Sequence, residues 1–334
     1  MAVLAEFNRS CYNHCRSTMV QPLEYPLKAS ALNPGDCIAL VSPSGASPAS
    51  SIAACTAYLQ QHGYHVKPGP HCLDRYQYLA GKDAHRSADL MDAFIDPSVQ
   101  AIFCTRGGYG TGRLLDWLDY GFIADNPKIV LGFSDTTALQ LALFARTNLV
   151  CFTGALAGLD FAKNKPDAFT ETSFWQAVTQ TTPLGRLPLP NSLRILCPGR
   201  AQGPILGGCL SLVCSLIGTP YLPNFDGALL LLEDIGEDPY RLDRMLNQLR
   251  LAGILNRLNG LILGEFKNCY TQDNTPLSLS LEQIINDLAG QLDIPIVAGF
   301  PYGHFKRRLV VPLGIEAILD TALPEICLNE SALG

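Results

Sequence analysis

The stretch Lys128-Ile-Val-Leu-Gly132-Phe-Ser134-Asp135-Thr-Thr-Ala-Leu-Gln-Leu-Ala-Leu143 decides how this chain reads. Ile129 to Leu131 is an apolar, β-type run that breaks at Gly132, and a helix-forming stretch opens a few residues later. Ser134 therefore falls on a sharp strand-to-helix turn, hydroxyl outward, with the N–H groups of a helix N-terminus beside it. Chemistry uses such a turn for a nucleophile, because oxyanion donors come with the geometry. The turn points to a hydrolase.

Outward from that turn the pattern alternates. Strands are predicted at Cys37–Ser42, Tyr64–Lys67, Gln100–Thr105, Ile129–Phe133 and Leu149–Thr153. Helices are predicted between them at 51–61, 87–94, 110–118 and 136–145. Apolar strands without polar alternation, each followed by a helix, imply a parallel sheet covered on both faces. Residues 180–205 hold several prolines and no helical period, which places a domain junction there. Beyond it the pattern is mixed. Ala228–Leu232, Gly260–Gly264, Pro295–Gly299 and Leu309–Pro312 read as strands, and Leu242, Met245, Leu246 and Leu249 mark one helix face. The expected fold is α/β: an N-terminal parallel-sheet, Rossmann-like domain and a C-terminal mixed α/β domain, with the active site in the cleft between them. The expected boundaries are an extension over 1–30, a nucleophile domain over 31–180, a linker over 181–205 and a C-terminal domain over 206–334.

Composition narrows the class. The 334 residues are 48% hydrophobic and 16% charged, enough to bury a large core. With 24 basic against 30 acidic residues, a formal charge of −6 and no dense basic block, nucleic acid and anionic membrane are poor partners. No apolar run approaches the roughly 20 residues that span a bilayer. The first thirty residues lack a continuous apolar core, which speaks against a secretory signal, and Met19 is an alternative start. Twelve cysteines without a short-period framework fit a reducing cytoplasm better than secretion. Cys11-x-x-His14-Cys15 resembles half of a metal knuckle, but no second half follows at zinc spacing, so neither metal nor cofactor is expected.

A serine nucleophile needs a base and a group to orient it. Of six histidines, five precede residue 86, and only His304 follows Ser134. It sits in Gly299-Phe-Pro-Tyr-Gly303-His304, just past an apolar strand, where α/β sheets place catalytic groups. The orienting carboxylate is sought at Glu233, which ends the leucine run 229–232, with Asp234 a close rival. A carboxylate at the end of a buried strand must find a partner or raise its pKa. Arg106-Gly107-Gly108-Tyr109-Gly110 follows another strand, and its glycines let backbone N–H groups approach an anion. A dinucleotide fingerprint is the rival reading there, but the third required glycine position is Arg113.

Together these segments resemble the LD-carboxypeptidase family, serine peptidases that include muramoyltetrapeptide carboxypeptidases and microcin C self-immunity peptidases. The likeness is carried by Gly35-Asp-Cys-Ile-Ala-Leu-Val-Ser-Pro-Ser-Gly45, Thr105-Arg-Gly-Gly-Tyr-Gly110, Gly132-Phe-Ser-Asp-Thr-Thr-Ala138 and Gly207-Gly-Cys-Leu-Ser-Leu212. It continues with Leu232-Glu-Asp-Ile-Gly-Glu237, Tyr240, Arg244 and Gly299-Phe-Pro-Tyr-Gly-His304. The resemblance implies a triad of Ser134, His304 and Glu233, and an oxyanion hole from backbone N–H groups of Gly107 or Gly108 and of Asp135. It also implies metal-free catalysis and commonly a homodimer. The family usually has asparagine where Cys209 stands, so contacts there are expected to differ. Arg106 is the candidate reader of a substrate carboxylate; Arg307 and Arg308 are an alternative, expected instead to be solvated.

The implied function is serine-type release of the terminal D-alanine from cytoplasmic murein tetrapeptides during peptidoglycan recycling. Immunity-type hydrolysis of an aminoacyl-nucleotide antibiotic is the alternative, with Trp175 a conceivable base-stacking residue or simply a packed helix position. An α/β-hydrolase agrees in the order Ser, Glu, His but lacks the second glycine of G-x-S-x-G, which is Thr136 here. A non-enzymatic ligand-binding module is the reading from a different class.

Overall fold

The computed structural model describes residues 25–162, 166–270 and 278–334. Cys11, His14 and Cys15 lie outside the described residues, as does the proposed start at Met19.

Two sheets organise the fold. The first takes β1 (Cys37–Val41), β2 (His65–Pro68), β3 (Val99–Cys104), β4 (Ile129–Gly132) and β5 (Cys151–Thr153) in parallel, in the order β2-β1-β3-β4-β5. Apart from the exposed edge strand β2, these strands are almost wholly buried because helices cover both faces, which is why their sequences run apolar without alternation. The helices are α1 (Ala49–Gln61), α2 (Asp83–Ile95), α3 (Tyr120–Asp125), α4 (Thr137–Thr147), α5 (Ala157–Asp160) and α6 (Ala168–Thr179). The strand order reverses direction between β1 and β3, and in such sheets ligands gather outside the carboxyl ends near that point.

The second sheet is mixed. It contains β6 (Gly185–Arg186), β7 (Arg194–Cys197), β8 (Arg200–Cys209), β9 (Leu229–Ile235), β10 (Gly260–Lys267) and β11 (Ile296–Ala298). A parallel core of β8, β9, β10 and β11 is flanked by antiparallel strands, including β13 (Glu316–Asp320) and β14 (Glu325–Leu328). Helices α7 (Leu210–Ser215), α8 (Pro239–Leu251) and α9 (Leu281–Ala289) accompany it. Strands β6, β7 and the first half of β8 fall within residues 181–205, the proline-rich stretch read as the domain junction.

Two sequence expectations are corrected. Residues 110–118 are not a helix but two short 3₁₀ turns, Thr111–Arg113 and Leu115–Trp117. Gly110 has φ +130°, and the N–H and hydroxyl of Thr111 are taken by Asp135, so the backbone there is set by tertiary partners. The second correction is β12 (Val311–Leu313), which belongs to the first sheet, antiparallel to β5. Its approach requires Gly154, where a Cβ would stand 2.2 Å from the Leu309 carbonyl oxygen. Among the described residues no helix is long and apolar enough to cross a membrane.

Candidate active site

Ser134 follows β4 at the first position of a 3₁₀ turn that leads into α4. Its φ of +65° is a left-handed conformation that a residue with a Cβ adopts only when its surroundings impose it. Neighbouring contacts do impose it. Asp135 is buried and accepts from the Thr111 N–H at 2.9 Å, while the Thr111 hydroxyl donates to the Asp135 carbonyl at 2.7 Å. Those bonds tie the serine turn to the end of the glycine-rich loop.

The loop itself is crowded against the serine. A Cβ on Gly107 would lie 2.9 Å from Ser134 Cβ and 3.1 Å from its Oγ. The Gly107 carbonyl accepts from the Gly45 N–H at 3.1 Å, which joins the loops after β1 and β3. Behind them the buried Arg86 guanidinium donates to the Pro43 and Gly110 carbonyls and pairs with Asp83.

The second sheet supplies the partners. Glu233 sits near the end of β9, completely buried, in register with Cys209 on β8. His304 hangs beyond β11, in a segment whose Phe300 and Tyr302 pair with the β10 backbone. His304 Nε2 lies 2.9 Å from Ser134 Oγ, and its Nδ1 lies 2.7 Å from Glu233 Oε2. A carboxylate can only accept, so this pairing places the ring proton on Nδ1 and leaves the Nε2 lone pair facing the serine. Burial pushes the Glu233 carboxyl above its usual range, against a downward pull from the His304 imidazole. Its other oxygen, Oε1, has no hydrogen-bond partner among the described residues.

Asp234 no longer competes. Its Oδ2 accepts from the Ser211 N–H and its Oδ1 from its neighbour Ile235, both at 2.8 Å. Cys209 is buried, with its thiol sulfur 3.3 Å from Ser211 Oγ and 3.5 Å from Asp234 Oδ1, and burial raises its pKa far above the ordinary value.

A cleft of about 360 Å³ opens over Ser134 and His304. Gly107, Gly108 and Arg106 line it, as do Lys267 and Lys306, giving it a cationic wall. Arg106 donates to the Ala46 carbonyl at 2.9 Å, and Lys267 Nζ to the His304 carbonyl at 2.8 Å. The expectation of solvated arginines at 307 and 308 fails for Arg308, which is 6% exposed. It forms an ion pair with Asp160, donates to the Gly154 carbonyl, and lies 4.9 Å over the Phe133 ring. Arg307 covers the Phe169 ring at 4.4 Å. Trp175 is a packing residue: its ring stacks on His62 and Tyr64, and its N–H donates to the Tyr58 hydroxyl at 3.0 Å. Lys267, Asp160 and Thr111 escaped the sequence reading. Lys267 ends β10 as Glu233 comes near the end of β9, so the strand-end rule that found one could have found the other.

The fold and this cleft define a two-part α/β protein of hydrolase type, with Ser134 from the end of the first sheet's β4 meeting Glu233 of β9 and His304 from beyond β11. The chain belongs to the LD-carboxypeptidase family. Residues 38–154 match the LD-carboxypeptidase N-terminal domain and residues 202–319 the LD-carboxypeptidase C-terminal domain. A probable murein peptide carboxypeptidase of Bacillus subtilis is 37% identical over 295 residues, 88% of this chain and 92% of the relative. The structure of a muramoyltetrapeptide carboxypeptidase from Oxalobacter formigenes, 31% identical, superposes with a TM-score of 0.78 over 87% of this chain and 97% of its own. The microcin C7 self-immunity protein MccF of Escherichia coli is 27% identical over 342 residues, covering 92% of this chain and 97% of the relative. A structure of MccF with aspartyl sulfamoyl adenosine gives a TM-score of 0.85 over 92% of this chain and all of its own.

Proposed function

We propose that this protein is a serine-type L,D-carboxypeptidase that releases the terminal D-alanine of murein tetrapeptides through a Ser134–His304–Glu233 triad. The observation that carries the reading is His304, one ring nitrogen on Ser134 and the other on buried Glu233. In the first step His304 Nε2 takes the Ser134 proton and Oγ attacks the carbonyl carbon of the L,D-peptide bond. Glu233 holds the imidazole in the required tautomer and offsets the charge of the imidazolium.

The tetrahedral oxyanion needs donors already in place. Gly107 and Gly108 share a trans peptide whose carbonyl is held by Gly45. The Gly108 N–H therefore points the opposite way, which favours Gly108 over Gly107 as one donor, with the Asp135 N–H as the other. The imidazolium next protonates the departing D-alanine amine, and water with the same histidine as base frees the acyl-enzyme. Arg106, on the cationic wall, is assigned to the substrate carboxylate.

The same proposal assigns the nucleophile to residues 31–180, Glu233 and His304 to residues 206–334, and the linker and extension to 181–205 and 1–30. A reducing cytoplasm is supported by the ten cysteines among the described residues, all of them free thiols. Homodimer formation rests on the family resemblance, and light scattering on the purified protein tests it.

The deciding assay is D-alanine release from a muramoyl or free tetrapeptide by wild type and Ser134→Ala, with a parallel reaction in EDTA. Release that survives EDTA and disappears in the variant supports the assignment; release unchanged in the variant rejects it. If wild type releases nothing, an aminoacyl-sulfamoyl adenylate is the next substrate, since the fold overlays MccF bound to such a compound.

A further inference from the structure

Away from the cleft, His71, Asp74 and His85 bring three donor atoms within 4.8 Å of one another. Asp74 Oδ2 stands 3.1 Å from His71 Nδ1 and 2.9 Å from His85 Nδ1, and the two imidazoles stack with centroids 4.0 Å apart. From these distances we infer a binding site for a single divalent transition-metal ion, Zn²⁺ by preference, formed by His71 Nδ1, Asp74 Oδ2 and His85 Nδ1.

The spacing fits the chemistry. Ligand bonds of about 2.0–2.2 Å at tetrahedral or octahedral angles put neighbouring donors roughly 3.0–3.4 Å apart. The 3.1 Å edge lies in that range and the 2.9 Å edge just below it, and the two stacked imidazoles have to turn out of their near-parallel arrangement so that both ring planes contain the ion. Two imidazoles and a carboxylate suit Zn²⁺ and its neighbours rather than Mg²⁺ or Ca²⁺, which favour oxygen ligands. On binding, each neutral imidazole moves its proton from Nδ1 to Nε2, and the freed lone pairs join the carboxylate on the ion.

The ligands are held from behind. The backbone N–H of His71 donates to both carboxylate oxygens of Asp89, at 3.0 and 3.2 Å. A Cβ on Gly81 would stand 2.9 Å from Asp74 Cβ, so only glycine lets the two pass this closely. Asp89 adds negative charge beside the site.

The site has a mechanical meaning. His71 and Asp74 belong to the loop between β2 and α2, whereas His85 and Asp89 belong to α2 itself. One ion would clamp that loop to the helix. The same loop carries Gln77 and Tyr78 to a recess that shares Arg106 and Gly108 with the Ser134 cleft. None of the three ligands lines the cleft, so the ion is separate from the acyl-transfer chemistry.

The test is Zn²⁺ titration of the full chain by calorimetry, in a Cys11→Ser/Cys15→Ser background that removes a competing thiol set. Wild-type ligands should take one equivalent, raise the melting temperature and slow proteolysis within residues 69–82. His71→Asn and His85→Asn should each weaken binding by more than about tenfold. Equal binding by these variants, or none by the parent, overturns the site. If a variant fails to fold, histidine ¹⁵N spectra of the parent decide: Zn²⁺ must shift the Nδ1 signals of two of the six histidines, His71 and His85. Shifts confined to other histidines reject it.

Discussion

His304 is the residue on which the site turns, because one imidazole has to satisfy a hydroxyl and a buried carboxylate at once. Removing Ser134 by Ser134→Ala should lower the turnover number on the order of 10⁴-fold or more, with the fold intact by circular dichroism. Glu233→Gln keeps the shape but favours the wrong tautomer, so a loss near 10⁴ is expected there too. Asp234→Asn is the contrast, since its carboxylate binds the Ser211 and Ile235 amides rather than His304. Its cost should appear in stability and leave turnover within about tenfold of wild type. The buried carboxylate also makes a pH prediction. Because the folded protein holds the Glu233 proton more tightly than its ordinary value of 4.5, the folded state carries more protons in the window above 4.5. Wild type should therefore lose stability relative to Glu233→Gln as pH rises from 4.5 through that raised value, by at most about 1.4 kcal/mol per unit. Urea titrations of both proteins across that range read the difference; a gap that moves the other way removes the burial argument.

At the scale of elements, the loop after β3 and the turn after β4 work as one piece. Gly107 has no side chain because Ser134 occupies the space, and Gly107→Ala would push on the nucleophile. A displacement of a few tenths of an ångström to one ångström can cost about 10²-fold in rate. Gly107→Ala should show that loss in kcat/KM with little change in melting temperature. Gly208 does the corresponding work between sheets: at φ +141° its Cβ would lie 2.6 Å from Thr137 Oγ1 at the start of α4. Gly208→Ala should cost stability, about 1–3 kcal/mol by thermal melting, from overpacking and backbone strain together. The sequence shows the glycines of the loop after β3 and of β8. It does not show which of them a neighbour crowds, and the helix expected over 110–118 failed for the same reason. Thr111 spends its donors on Asp135, a contact between residues 24 apart in the chain.

For the whole molecule, the crossing of β12 into the first sheet makes the two halves depend on each other. Tyr302 donates to or accepts from Thr153 at 2.7 Å, and Arg308 reaches Asp160 and the Gly154 carbonyl. Asp160→Ala leaves the buried Arg308 charge without its partner, which typically costs 3–5 kcal/mol. A change below about 1 kcal/mol in denaturant unfolding would show that water replaces the carboxylate freely. The shared sheet also predicts cooperative unfolding. Both tryptophans, Trp117 and Trp175, lie in the first half, so their fluorescence and the far-UV signal of the entire chain should give coincident urea transitions. Separated midpoints would mean that the halves unfold independently.

The five parallel strands of the first sheet, β9, β10 and β11, and the helices α1, α2, α4 and α8 were legible because each is dictated locally, by an apolar run of strand length or an apolar stripe at helical spacing; β6, β7, β8, β13 and β14 were not read from the sequence. The strand-to-helix turn at Ser134 was legible for the same reason, since Gly132 and the helix-forming run after it are near neighbours. Local pattern also narrowed the carboxylate to two adjacent residues and the base to one histidine. The sequence and the family resemblance favoured Glu233 with Asp234 a close rival; the tertiary structure separates the two, because they alternate across β9 and only packing says which face meets His304. Burial of Arg308 and the placement of β12 were likewise hidden. Each depends on contacts between residues far apart in sequence, whose free energy no local pattern records.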